Sequence, residues 1–95
     1  MPMFITRVEL HDADEWEYYE TLHDEMEQRG FKRTIRGKKG IYQLPTAEYV
    51  CTMSATASDV HTLAKQAANA TGKKSSVISC EYLRAAFDLP EAGES

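Results

Sequence analysis

Residues 29–53 read RGFKRTIRGKKGIYQLPTAEYVCTM, and the way they divide decides the fold. Gly30 supplies a left-handed cap for a helix ending at Arg29. FKRTIR (31–36) alternates, with Phe31 and Ile35 on one side and Lys32, Thr34 and Arg36 on the other, which is a strand signal. Arg33 falls on the inward parity, so the strand belongs at a sheet edge, where a long cationic side chain reaches water and blocks unwanted pairing. GKKG (37–40) has the glycines of a hairpin turn. IYQLPTAEYVCTMSA (41–55) then returns as a long strand, bent at Pro45, which donates no ladder hydrogen bond. Beyond the bend Tyr49, Cys51 and Met53 face the core. Two strands joined by a tight turn are thus expected in the middle of the chain.

On the N-terminal side FITRVEL (4–10) alternates as a strand with Phe4, Val8 and Leu10 inward. HDADEWEYYETLHDEMEQRG (11–30) follows with Asp12 and Glu15 at capping-box spacing. Trp16, Tyr19, Leu22, His23 and Met26 then form the apolar stripe of a helix. On the C-terminal side Thr56 and Asp59 open a second helix. Val60, Leu63, Ala64, Ala67 and Thr71 continue it, and Gly72 closes it. SSVISCEYL (75–83) is the fourth strand, with Cys80 read as buried and with Val77 and Ser79 on the face away from the helices. The order β-α-β-β-α-β predicts an α+β, ferredoxin-like βαββαβ sandwich, with an antiparallel sheet in the order 4-1-3-2 and both helices on one face. One domain is expected over residues 1–83, and a C-terminal turn of helix with a flexible acidic tail over 84–95. In that order the first strand lies between Cys51 and Cys80, so the two thiols are expected to remain reduced.

Composition narrows the function classes. No apolar run reaches the ~18 residues of a membrane span, and the N-terminus has no signal-peptide pattern, so the expectation is a cytoplasmic protein with no membrane contact. Neither a paired CxxC nor an HExxH is present, so neither a metal site nor a cofactor is expected. Charge is unevenly spread. The chain carries a formal net charge of -4, yet residues 29–40 hold six of its eleven basic side chains and no acid. Lys32, Arg36, Lys38 and Lys39 are therefore the candidate nucleic-acid contacts.

Among the histidines, His23 lies on the helix stripe and reads as a structural, partly buried residue. His61 reads as exposed. His11 leaves the first strand beside Asp12 and Asp14, and histidine is the side chain that exchanges protons near neutral pH. With Arg7 or Arg36 to stabilise a developing phosphorane charge, His11 could cleave RNA without a metal, because the 2′-hydroxyl supplies the nucleophile. The candidate catalytic residues are thus Arg7, His11 and Arg36. The bare sheet face, carrying Ile5 and Val50 but no stacking aromatics on its central strands, favours a homodimer over base stacking on the sheet.

RVELH (7–11), Tyr19, Leu22, His23, Met26, Gly30, Phe31, Arg33–Ile35, YQLPTAEY (42–49) and the helix ending ATGK (70–73) resemble the small bacterial proteins related to GhoS. These are the endoribonuclease antitoxins of type V toxin–antitoxin systems. The resemblance runs over roughly residues 4–82, and LPTAEY is its most specific part. It implies a ferredoxin-like fold similar to the CRISPR-associated small nucleases, which carry an acid where Glu9–Asp12 stand here, and activity on single-stranded RNA in a bacterial or phage setting. The alternative is a non-catalytic binding module of phage or prophage type, docking on a protein partner through its acidic first helix or open sheet face.

Overall fold

The computed structural model describes residues 1–92. Its elements are β1 (Met3–Leu10), α1 (Trp16–Gln28), β2 (Thr34–Gly37), β3 (Gly40–Gln43), β4 (Glu48–Thr52), α2 (Ala57–Asn69) and β5 (Ser75–Tyr82). The protein is an α+β fold with two helices and antiparallel sheets.

The strand order differs from the expected four-stranded sheet. β1 lies between β4 and β5 in a three-stranded sheet, and β2 pairs with β3 in a separate two-stranded sheet. The long third strand is two strands. At Pro45 the chain turns, with the Glu48 amide donating to the Pro45 carbonyl at 3.1 Å, and Ala47 adopts the left-handed φ of 65°. That turn takes β3 out of line with β4. β2 follows β3, because Thr34↔Gln43 through Gly37↔Gly40 fix it there. The hairpin turned at residues 37–40 is therefore as expected, but only Lys32 reaches beyond the bend, exchanging backbone hydrogen bonds with Val50 of β4 at 2.8 and 2.9 Å.

Phe4, Thr6, Val8 and Leu10 of β1 are buried, as the alternation requires. They join Leu22 and Met26 of α1, Tyr49 and Cys51 of β4, and Val60, Ala64 and Ala67 of α2, so both helices cover one face of the three-stranded sheet. Full burial of side chains such as Phe4, Tyr49 and Leu22 contributes about 1.5–3 kcal/mol each. The alanines are 0% exposed, which places the α2 backbone close to the sheet. The capping box of α2 forms on both sides, Asp59 N to Thr56 Oγ1 and Thr56 N to Asp59 Oδ2, each at 3.1 Å. The one expected on α1 does not. Asp12 sits at φ 57° before the helix, and Glu15 is the N-cap without a side-chain bond.

Two further expectations are corrected. In β5, Val77 lies opposite Val8 and Ser79 opposite Thr6, so both face the helices, and Thr6 Oγ1 and Ser79 Oγ are 2.8 Å apart. Ile78 and Cys80 therefore point to the open face, and Cys80 is exposed where a core position was expected. Cys51 is buried, and neither cysteine is in a disulfide. On α1, Leu22, His23 and Met26 are buried, but Trp16 is 62% exposed.

Residues 84–92 run over the hairpin without a helical turn. Ala92 N donates to Ile41 O and Gln43 N to Pro90 O, both at 2.9 Å, and Phe87 packs on Tyr42 with ring centroids 5.4 Å apart. Gly37 leaves room for this packing, because a Cβ there would lie 2.9 Å from Tyr42 and 3.1 Å from Phe87. The end of the expected acidic tail, residues 93–95, lies outside the described residues.

Candidate functional site

β1 ends at Leu10, and His11 leaves it toward the turn that joins α2 to β5. Gly72, at φ 81°, makes that turn, and Lys73 and Lys74 follow it. The His11 amide donates to the Lys74 carbonyl at 2.8 Å, and His11 Nε2 lies 2.8 Å from Ser76 Oγ. From α2, Lys65 Nζ donates to the Ser75 carbonyl at 3.0 Å and to its hydroxyl at 2.7 Å. Lys73 Nζ lies 4.4 Å from the centre of the Tyr18 ring, a cation–π contact. His11, Lys65, Asn69, Lys73, Lys74 and Ser75 line a groove of about 550 Å³ in which no side chain is acidic. Three ammonium groups with one imidazole and nearby serine hydroxyls make a site for an anion, the hydroxyls supplying donors and the ammoniums charge.

The candidate catalytic residues are not gathered around His11. Arg7 projects from the open face of β1, where it lies opposite Glu48 and Ile78, four residues and roughly 13 Å along the strand from His11. Arg36 is in the other sheet, opposite Ile41. The cations beside His11 are Lys65, Lys73 and Lys74 instead, none of which stands out in the sequence alone. Two signals could have found them: a Lys pair directly after the helix-ending Gly72, and Lys65 on α2 with its long stem free to reach the start of the next strand.

The candidate nucleic-acid contacts Lys32, Arg36, Lys38 and Lys39 are all exposed. Lys38 and Lys39 sit at the hairpin tip and line a groove of about 330 Å³ with Tyr42, Phe87 and Asp88. Lys32 stands apart from them, at the seam between the hairpin and β4.

A third region surrounds His23. Its Nδ1 lies 2.7 Å from the Tyr49 hydroxyl, while Nε2 is buried with no hydrogen-bond partner among the described residues. Burial, followed by the Arg33 guanidinium, lowers the His23 pKa and keeps the ring neutral, and burial raises that of the Tyr49 phenol. The Trp16 ring meets His23 edge-on at 6.5 Å. Two grooves meet here, one of about 480 Å³ that extends to Lys32 and one of about 310 Å³ bounded by Trp16 and Glu20, and His23, Asp24 and Arg33 line both. Among the described residues the ion pair within 4.0 Å is Arg29–Glu25, so the Arg33 guanidinium is not engaged by the carboxylates beside it.

No group of three or more His, Cys, Asp or Glu able to hold a metal occurs among the described residues, and no helix among them is long and apolar enough to cross a membrane. No protein-family model matches the chain, and no curated protein matches it.

Proposed function

We propose that this chain binds single-stranded RNA and cleaves it without a metal, in the manner of the endoribonuclease antitoxins that it resembles. The observation that carries the reading is the acid-free groove of His11 with Lys65, Lys73 and Lys74 on a protein of net charge -4. A phosphate held there by the lysines brings its 5′-side ribose to His11. The imidazole accepts the 2′-hydroxyl proton, the freed oxygen attacks the adjacent phosphorus, and the bond to the 5′-oxygen of the next nucleotide breaks. The products are a 2′,3′-cyclic phosphate and a 5′-hydroxyl, the latter protonated from solvent. Lys65 and Lys73 offset the negative charge gathered on the phosphoryl oxygens. Lys32, Arg36, Lys38 and Lys39 hold neighbouring phosphates. A ferredoxin-like ancestry fits this reading, with the second strand reduced to the Lys32–Val50 bridge.

The test is a gel shift and a cleavage assay on labelled single-stranded RNA. Binding should weaken with salt, and Arg36→Ala/Lys38→Ala/Lys39→Ala should flatten the log–log salt dependence by about 0.7 for each phosphate that the variant no longer neutralises. Cleavage should persist in EDTA and disappear in His11→Ala, while that variant still binds. An unchanged salt slope would remove the hairpin from the interface, and unchanged cleavage would remove His11 from the chemistry.

A second surface supports self-association. Ile78 is 63% exposed on the open face, which Ile5 and Val50 share. Arg7, Glu9 and Glu48 on the same face offer charge pairs between two copies related by a two-fold axis. A homodimer built there should be reduced to monomer, as read by sedimentation equilibrium, in Ile78→Lys.

A further inference from the structure

The basic surfaces account for phosphate but leave the His23 region unexplained. Phosphate does not suit it, because Glu20, Asp24 and Glu27 line its two grooves. Its other features are those of a site for a flat, hydrogen-bonding ligand. Trp16 exposes 62% of its surface at the mouth of the smaller groove, and Arg33 offers a second planar group in the same groove. His23 is only 8% exposed, yet its Nε2 has no partner among the described residues, which is a costly state for a buried polar atom. At about 310 Å³ the groove is at the lower end of the ~300–1,000 Å³ common for ligand pockets.

We propose that the groove bounded by Trp16, Glu20, His23, Asp24 and Arg33 binds one unstacked guanine base. This deepens the RNA-binding reading above and rests on it for the identity of the natural ligand. The Trp16 indole and the Arg33 guanidinium supply the stacking faces. The Asp24 carboxylate reads the edge. Guanine presents two adjacent donors, N1–H and the exocyclic N2–H, which match the two acceptor oxygens of one carboxylate. Adenine and cytosine set a donor beside an acceptor on that edge, and uracil sets its one donor between two acceptors, so each puts a lone pair against Asp24. In the tautomer this requires, Tyr49 donates to Nδ1 and His23 carries its proton on Nε2. That atom is covered in the unliganded protein, and a shift of the neighbouring Trp16 ring brings it within reach of the guanine O6 carbonyl. The larger groove leads from the same three residues to Lys32, which takes the attached phosphate away from the carboxylates.

Trp16 is the only tryptophan, so its fluorescence reports on this groove alone. The four nucleoside 5′-monophosphates are titrated into the full chain at one ionic strength. GMP should quench saturably and bind about tenfold or more tighter than AMP, CMP or UMP, as expected of a bidentate edge contact. Asp24→Asn, checked for an unchanged melting temperature, should bring GMP to the level of AMP. Quenching that is absent, that is equal for all four nucleotides, or that favours GMP undiminished in Asp24→Asn overturns the proposal. A gel shift with guanine-containing and guanine-free RNA of equal length separates the two readings. RNA that binds equally with or without guanine overturns the pocket and leaves the basic surfaces standing. GMP-selective quenching without any RNA shift supports the pocket and overturns the RNA reading.

Discussion

His23 and Tyr49 bond to each other inside the core, and the pair can be tested apart from any ligand. Tyr49→Phe removes the one hydrogen-bond partner the His23 side chain has among the described residues, so it should destabilise the protein by about 1–3 kcal/mol in urea denaturation. The pH dependence has a definite sign. Burial holds the folded-state pKa of His23 below its unfolded value of 6.5, so below pH 6.5 the unfolded chain takes up a proton that the folded one refuses. Stability from this group is fully present above pH 6.5 and is lost as the pH falls through the folded pKa. His23→Gln should therefore show a shallower fall in urea midpoint below pH 6.5 than the wild type. The two cysteines differ as sharply. Cys51 is buried and its pKa is pushed up to about 11, whereas Cys80 is exposed. In the Ile78→Lys monomer a native-state thiol reagent should label Cys80 alone, and Cys51 only on unfolding.

Elements carry their own instructions to different degrees. The Thr56–Asp59 box sits at the start of α2 with both bonds made, and Thr56→Ala should cost about 1 kcal/mol in thermal or urea unfolding. The same spacing at Asp12 and Glu15 misled, because Ala13 packs on the core and the helix begins only at Trp16. β1 was legible because Arg7 to Leu10 alternate and Phe4 shares the parity of Val8 and Leu10, which outweighs Ile5 on the other face. β5 was not, because Val77 and Ile78 are adjacent apolar residues between serines, so a shift of one position reads equally well. Its face is set by the pairing of Thr6 with Ser79, residues far apart in the chain. Pro45 announced a bend but not its consequence, since whether the hairpin stays in line depends on Ala47 accepting a positive φ. In the site, His11 was legible from its place at a strand end. Its lysine neighbours were not, because they come from α2 and the following turn, and only the fold joins those to β1.

At the scale of the whole molecule, β1 pairs with β5 from Met3↔Tyr82 to Leu10↔Ser75, so the central strand of the sheet bonds to the last strand of the chain. The hairpin of β2 and β3 joins this body through the Lys32–Val50 bridge, with residues 90–92 along its other side. Its amides should exchange with deuterium faster than those of β1, and removal of residues 84–95 should widen that gap. The β1–β5 pairing also bears on how the protein is born. During synthesis β1 leaves the ribosome about seventy residues ahead of its partner, so one long edge of β1 stays unpaired until residue 82 is free. The sheet can close only after residues 75–82 have been released, and until then the nascent Phe4–Leu10 segment is the part most in need of a chaperone.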